Sequence, residues 1–113
     1  MTIPDPGSVP FKDRIHEIFN QSKTIGVAAG YAGVFRGLYL SPAVAKMKEH
    51  QLAKEILAVA SVASARGRLC MREEIVAAAA ATDQHVGHST FQLLPDVPTL
   101  EEYEALRRET LKY

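Results

Sequence analysis

The stretch Ile25 to Leu40, IGVAAGYAGVFRGLYL, holds four of the chain's seven glycines, and their spacing restricts what the segment can become. Gly26, Gly30, Gly33 and Gly37 stand at i, i+4, i+7 and i+11. Wound as an α-helix, they fall within an arc of roughly 60° on one face. Glycine inside a helix costs about 1 kcal/mol relative to alanine, so four of them give up roughly 3–4 kcal/mol of helical preference. Close approach of another backbone is the usual compensation. Two G-x-x-x-G pairs, Gly26/Gly30 and Gly33/Gly37, match the pattern of helices packed together in lipid, where small residues permit contact. The expectation is a transmembrane helix over 24–41 whose packing interface is Gly26, Gly30, Gly33, Gly37 and Ala29. Val27, Tyr31, Val34, Phe35 and Leu38 would face lipid, and Arg36, flanking the seam, would be an intramembrane polar residue turned toward protein or headgroups. The span is short against the ~20 apolar residues a bilayer core requires, so a soluble helix is the alternative.

Composition narrows the functional classes. Thirteen Lys+Arg against thirteen Asp+Glu leave no net charge over 113 residues, and no basic run supplies a surface for nucleic acid. The hydrophobic share of 47% contains few aromatics, so the apolar surface is largely aliphatic and small, which suits closely packed helices. A lone cysteine, Cys70, excludes an internal disulfide and a multi-cysteine metal cage within one chain. The N-terminus carries Asp5 and three prolines before Lys12 and does not read as a secretory or transit peptide.

Taken in order, residues 1–10 read as a proline-punctuated arm. Phe11, Ile15, Ile18 and Phe19 recur at helical spacing and predict an amphipathic helix over 11–23, with Lys23 at the boundary of the span. Ser41-Pro42 is a preferred helix start, and the run from Ala43 to Arg66 contains neither glycine nor proline, so 42–84 reads as a helical extension. Arg66-Gly67-Arg68 predicts a hinge in it. Residues 85–98 read as a loop, and Thr99-Leu-Glu-Glu102 is a capping box opening a last helix over 99–113. The fold expected is all-α.

No catalytic constellation stands out. His85 and His88 are too isolated for a metal site, with Gly87 between them and no carboxylate motif beside them. Arg68 and Arg72 could activate the Cys70 thiol, but no base or second thiol accompanies it, and a buried structural cysteine is the simpler reading. Glu73-Glu74 and Glu101-Glu102 are adjacent pairs that point apart on a helix and suit first turns. No phosphate loop or nucleophile motif is present. Catalytic residues, metal ligands and cofactors are therefore not expected.

The order Gly26-Val-Ala-Ala-Gly30, then Arg36-Gly-Leu-Tyr39-Leu40-Ser-Pro42, resembles the membrane segment of subunit e of the mitochondrial F-type ATP synthase. The likeness covers about 20 of the 113 residues. It implies a single glycine-motif helix across the mitochondrial inner membrane, a second such helix as partner, contact with lipid and other subunits, and a non-catalytic role in assembly or dimerisation. The charged run Lys46 to Glu55 would match the family's helical continuation. The alternative without a span is a soluble intracellular helical scaffold or adaptor.

Overall fold

The computed structural model describes residues 9–81 and 97–111. The expected all-α fold is overturned: three antiparallel strands, β1 (His16–Phe19), β2 (Ile25–Ala29) and β3 (Phe35–Leu40), form a sheet in the order β1-β2-β3. A long helix α1 (Glu49–Ala81) and a shorter α2 (Leu100–Thr110) complete the described elements, with one-turn 3-10 segments at Phe11–Asp13, Tyr31–Gly33 and Pro42–Lys46.

The glycine stretch is a β-hairpin and not a helix. Ile25, Val27 and Ala29 alternate with Gly26 and Ala28, which is a two-residue period, and the first three are almost wholly buried beneath α1. β-branched and aromatic residues in the segment fit a pleated surface, and its four glycines each weaken a helix, so local preference and burial agree on strands. Register pairs Ile25 with Leu40, Gly26 with Tyr39, Val27 with Leu38 and Ala28 with Gly37, then shifts by a bulge so that Ala29 meets Phe35. The loop closes through Gly30 N–H to the Val34 carbonyl at 2.7 Å, and Gly33 takes a φ of +86° that favours glycine. Among the described residues no helix is long and apolar enough to cross a membrane, and the segment expected as a transmembrane helix at 24–41 is instead β2, a turn and β3.

The amphipathic helix expected over 11–23 is likewise replaced, by a 3-10 turn and β1. Of its four apolar residues only Ile18 enters the core, while Ile15 is 59% exposed. The polar cluster Asn20 to Thr24 turns the chain. Asn20 Oδ1 accepts from Thr24 N at 2.9 Å and Ile25 N at 3.1 Å, and its amide donates to Thr24 Oγ1, which lets this buried side chain stand in for backbone partners.

Ser41 and Pro42 do start a helical turn, with the Ser41 hydroxyl accepting from Ala43 N, but it is a 3-10 turn that ends before Met47. α1 then runs 33 residues without a break at Gly67, so the expected hinge is absent. Gly67 is instead where helix and hairpin touch backbone to backbone. A Cβ there would lie 2.6 Å from Gly33 N and 2.7 Å from Gly33 Cα, and a Cβ on Gly33 would lie 2.7 Å from Ser64 Oγ. The close approach is therefore of Gly33 in a turn to Gly67 in a helix of the same chain, and not of a helical glycine seam to a second membrane helix. Val59, Val62, Ala63 and Leu69 of α1 pack on Ile18, Ile25, Val27 and Ala29 of the sheet.

α2 opens with the capping box: Thr99 Oγ1 accepts from Glu102 N at 3.1 Å, and Glu102 Oε1 accepts from Thr99 N at 3.2 Å. Tyr103 and Leu111 join the core, and Gln21 donates to the Leu111 carbonyl, tying α2 to the β1–β2 turn.

Candidate functional site

A three-stranded sheet has two outer strands, and here they are not equivalent. β1 is four residues long and carries His16 and Glu17, a short polar edge of the kind that discourages strand addition. β3 is six residues long, exposed at every position, and contains no acid and no proline. Phe35 is 58% exposed, Leu38 55%, Tyr39 51% and Leu40 40%, with Val34 just before them also open. Such an edge is a template for another strand unless something covers it.

The reason for the exposure is the placement of α1. The helix lies over β1, β2 and the β2–β3 turn, so the side chains of β3 that share its face reach past it. Leu38 and Leu40 pair with Val27 and Ile25, both inward residues, and therefore point to the helix side of the sheet. Beside them Phe35, Leu38, Val27, Ile56 and Ala60 line an apolar groove of about 340 Å³ between β3 and α1. On the opposite face Gly26 and Ala28 leave a shallow hollow of about 320 Å³, flanked by Phe19 and Tyr39. Those two rings meet edge to face with centroids 6.0 Å apart, and Phe19 covers Gly26 so closely that a Cβ there would lie 2.7 Å from its Cδ1.

Hydrogen bonding fixes which backbone groups of β3 remain available. Ser41 N–H donates to the Thr24 carbonyl at 2.8 Å, extending the ladder one residue beyond the strand. Because successive residues of a strand point their amides to opposite sides, Ser41, Tyr39 and Gly37 face β2. The N–H and C=O groups of Leu38 and Leu40 consequently face the open side.

The residues singled out in the sequence are distributed across the hairpin. Ala29 is core, Gly26 and Gly30 are buried in the strand and at its end, Gly33 rests on Ser64 and Gly67, and Gly37 is exposed. They form no common helical stripe. Arg36 is an exposed bulge residue whose side chain lies over Gly30. It lies in a strand, and among the described residues no helix is long and apolar enough to cross a membrane. The open edge of β3 was missed because exposure depends on strand order and on where the helix lies, although the run Phe35, Leu38, Tyr39 and Leu40 was its available signal.

A second group of polar side chains gathers where α1 crosses β1. Arg66 pairs with Glu73 at 2.7 Å, and Tyr31 donates to Glu74 at 2.9 Å. Burial, then the nearby Arg66 guanidinium, holds His16 below the ordinary histidine value, and its Nε2 is buried with no hydrogen-bond partner among the described residues. Burial, then Glu73, pushes the Cys70 thiol up, against the opposing effect of Arg66; the thiol donates to the Phe11 carbonyl at 3.6 Å. A buried, protonated thiol is a poor nucleophile. No group of three or more metal-ligating side chains gathers among the described residues. His85 and His88 lie outside those residues.

The segment that carries the subunit e likeness is the pair β2 and β3 and not the membrane helix the likeness implied, and no family evidence supports ATP synthase or a mitochondrial location. Comparison with models of known protein families, with curated proteins and with solved structures finds no match for this chain.

Proposed function

We propose that the chain is a non-catalytic assembly component that joins another polypeptide by accepting its β-strand along β3. The observation that carries this reading is the six-residue outer strand with all positions exposed and four large apolar side chains on it. Strand addition supplies main-chain hydrogen bonds for affinity, while side chains at alternate positions select the partner. The incoming strand needs apolar residues on the helix-facing side, where Leu38, Leu40 and the groove beside Ile56 and Ala60 would receive them. The buried, protonated state of Cys70 also favours a binding role over thiol chemistry.

A photoreactive amino acid placed at Leu38 tests this in cells expressing the protein. Cross-linked adducts are expected from position 38 and not from Leu57, which is 70% exposed on α1. Absence of any adduct at 38, or equal adducts at both positions, refutes the reading.

A further inference from the structure

Resting on that reading of β3, we infer that the strand it accepts is β3 of a second copy of this chain, joined antiparallel about a two-fold axis at Tyr39. Opposite Ala28 and Ala29 the ladder is irregular, but from Gly37 to Ser41 it runs without interruption, and Tyr39 is the centre of that segment. A two-fold axis perpendicular to the sheet is the symmetry that continues the sheet with both α1 helices on one face. Such an axis passes through one residue position of β3. Placed at Tyr39, it sets Leu38 against the second copy's Leu40, and Leu40 against the second copy's Leu38.

The backbone then matches. Leu38 and Leu40 are the two residues whose amide and carbonyl groups face outward, and each finds the other across the axis. Four hydrogen bonds form, and Tyr39 becomes a non-hydrogen-bonded pair with its own copy, Cα atoms about 4.5 Å apart. Side chains match as well. On the helix-facing side two Leu38–Leu40 contacts form, and on the other side the two Tyr39 rings meet. Since Tyr39 already contacts Phe19 at 6.0 Å, the seam carries a row of four aromatic rings. The one charge on the strand, Arg36, falls outside the paired segment, and the chain's zero net charge adds no repulsion between copies.

The area is sufficient. A whole aromatic side chain presents roughly 150–250 Å², so the exposed parts of Phe35, Leu38, Tyr39 and Leu40 amount to on the order of 350 Å² per copy. Two copies, with the strand backbones of residues 37–41, reach about the 1,000 Å² that a specific interface requires.

Light scattering on the purified full chain is expected to give twice 12.4 kDa across the micromolar range. Tyr39→Cys should form an intermolecular disulfide under mild oxidation. Leu38→Cys should not, because its nearest copy of itself lies beyond about 7 Å in this register. Leu40→Pro removes an amide that faces outward and spares the ladder to β2, so circular dichroism should be unchanged while the dimer dissociation constant rises about 30-fold, the equivalent of two lost hydrogen bonds. A mass of 12.4 kDa throughout overturns the dimer. Cross-linking through Leu38→Cys but not Tyr39→Cys overturns the axis. If the purified chain is monomeric while position 38 still yields adducts to other proteins in cells, self-pairing falls and strand acceptance stands.

Discussion

Replacing Gly67 with alanine sets two effects of opposite sign against each other at a single atom. In an isolated helix the change is favourable by about 1 kcal/mol. In this protein the new Cβ would lie 2.6 Å from Gly33 N and 2.7 Å from Gly33 Cα, where ordinary contact begins at 3.4 Å. The Gly30 carbonyl oxygen lies nearer still, so helix and turn must separate by more than an ångström, and the atoms in the way are backbone, which cannot swing aside as a side chain does. Overpacking of this kind costs about 1–3 kcal/mol, and the rigidity of both elements places it at the upper end. The net expectation is a loss of about 2 kcal/mol, or a melting temperature lower by roughly 8 °C at about 4 °C per kcal/mol. Thermal unfolding followed by circular dichroism reads this directly. An unchanged or raised melting temperature would mean that helix preference prevails, and that α1 does not rest on the β2–β3 turn.

Gly33→Ala should cost about 1–2 kcal/mol in chemical denaturation from its left-handed backbone alone, and more from contact with Ser64. Asn20→Ala leaves the amides of Thr24 and Ile25 without their acceptor and should lower stability by about 2–3 kcal/mol, whereas a loss under about 0.5 kcal/mol would show that the turn holds without it. His16 is held below its ordinary value of 6.5, so the unfolded chain takes up a proton more readily than the folded one as pH falls through that value. Stability should be complete above this range and decline below it, and His16→Gln should flatten that part of the profile. Thr99→Ala should cost about 1 kcal/mol by removing the helix cap.

What could be read from the residues was what is decided within a few positions. The Thr99–Glu102 capping box is such a case, because four neighbouring residues contain all its partners. The long helix after Met47 was visible in a run of good helix formers free of proline. The hairpin was obscured because Gly26, Gly30, Gly33 and Gly37 also fit a helical face, while the competing two-residue period of Ile25, Val27 and Ala29 spans only five residues. β1 is four residues long, too short for alternation to outweigh the helical spacing of Phe11, Ile15, Ile18 and Phe19. Gly67 resembled a hinge because the element that compensates for it lies far away in sequence. The exposed edge of β3 depends on two tertiary facts, strand order and helix placement, and neither is a local property.

The seating of the Gly30–Gly33 turn against Gly67 imposes an order on biosynthesis. A nascent chain emerging from the ribosome presents the hairpin first, and until Val59, Val62 and Ala63 follow, the inward faces of Ile25 and Val27 have only water beneath them. Such distant contacts must await the chain that supplies them, so folding is governed by the arrival of α1. Truncations ending ahead of Val59 should yield an unstructured fragment, and the ordered hairpin is a product of the helix that succeeds it.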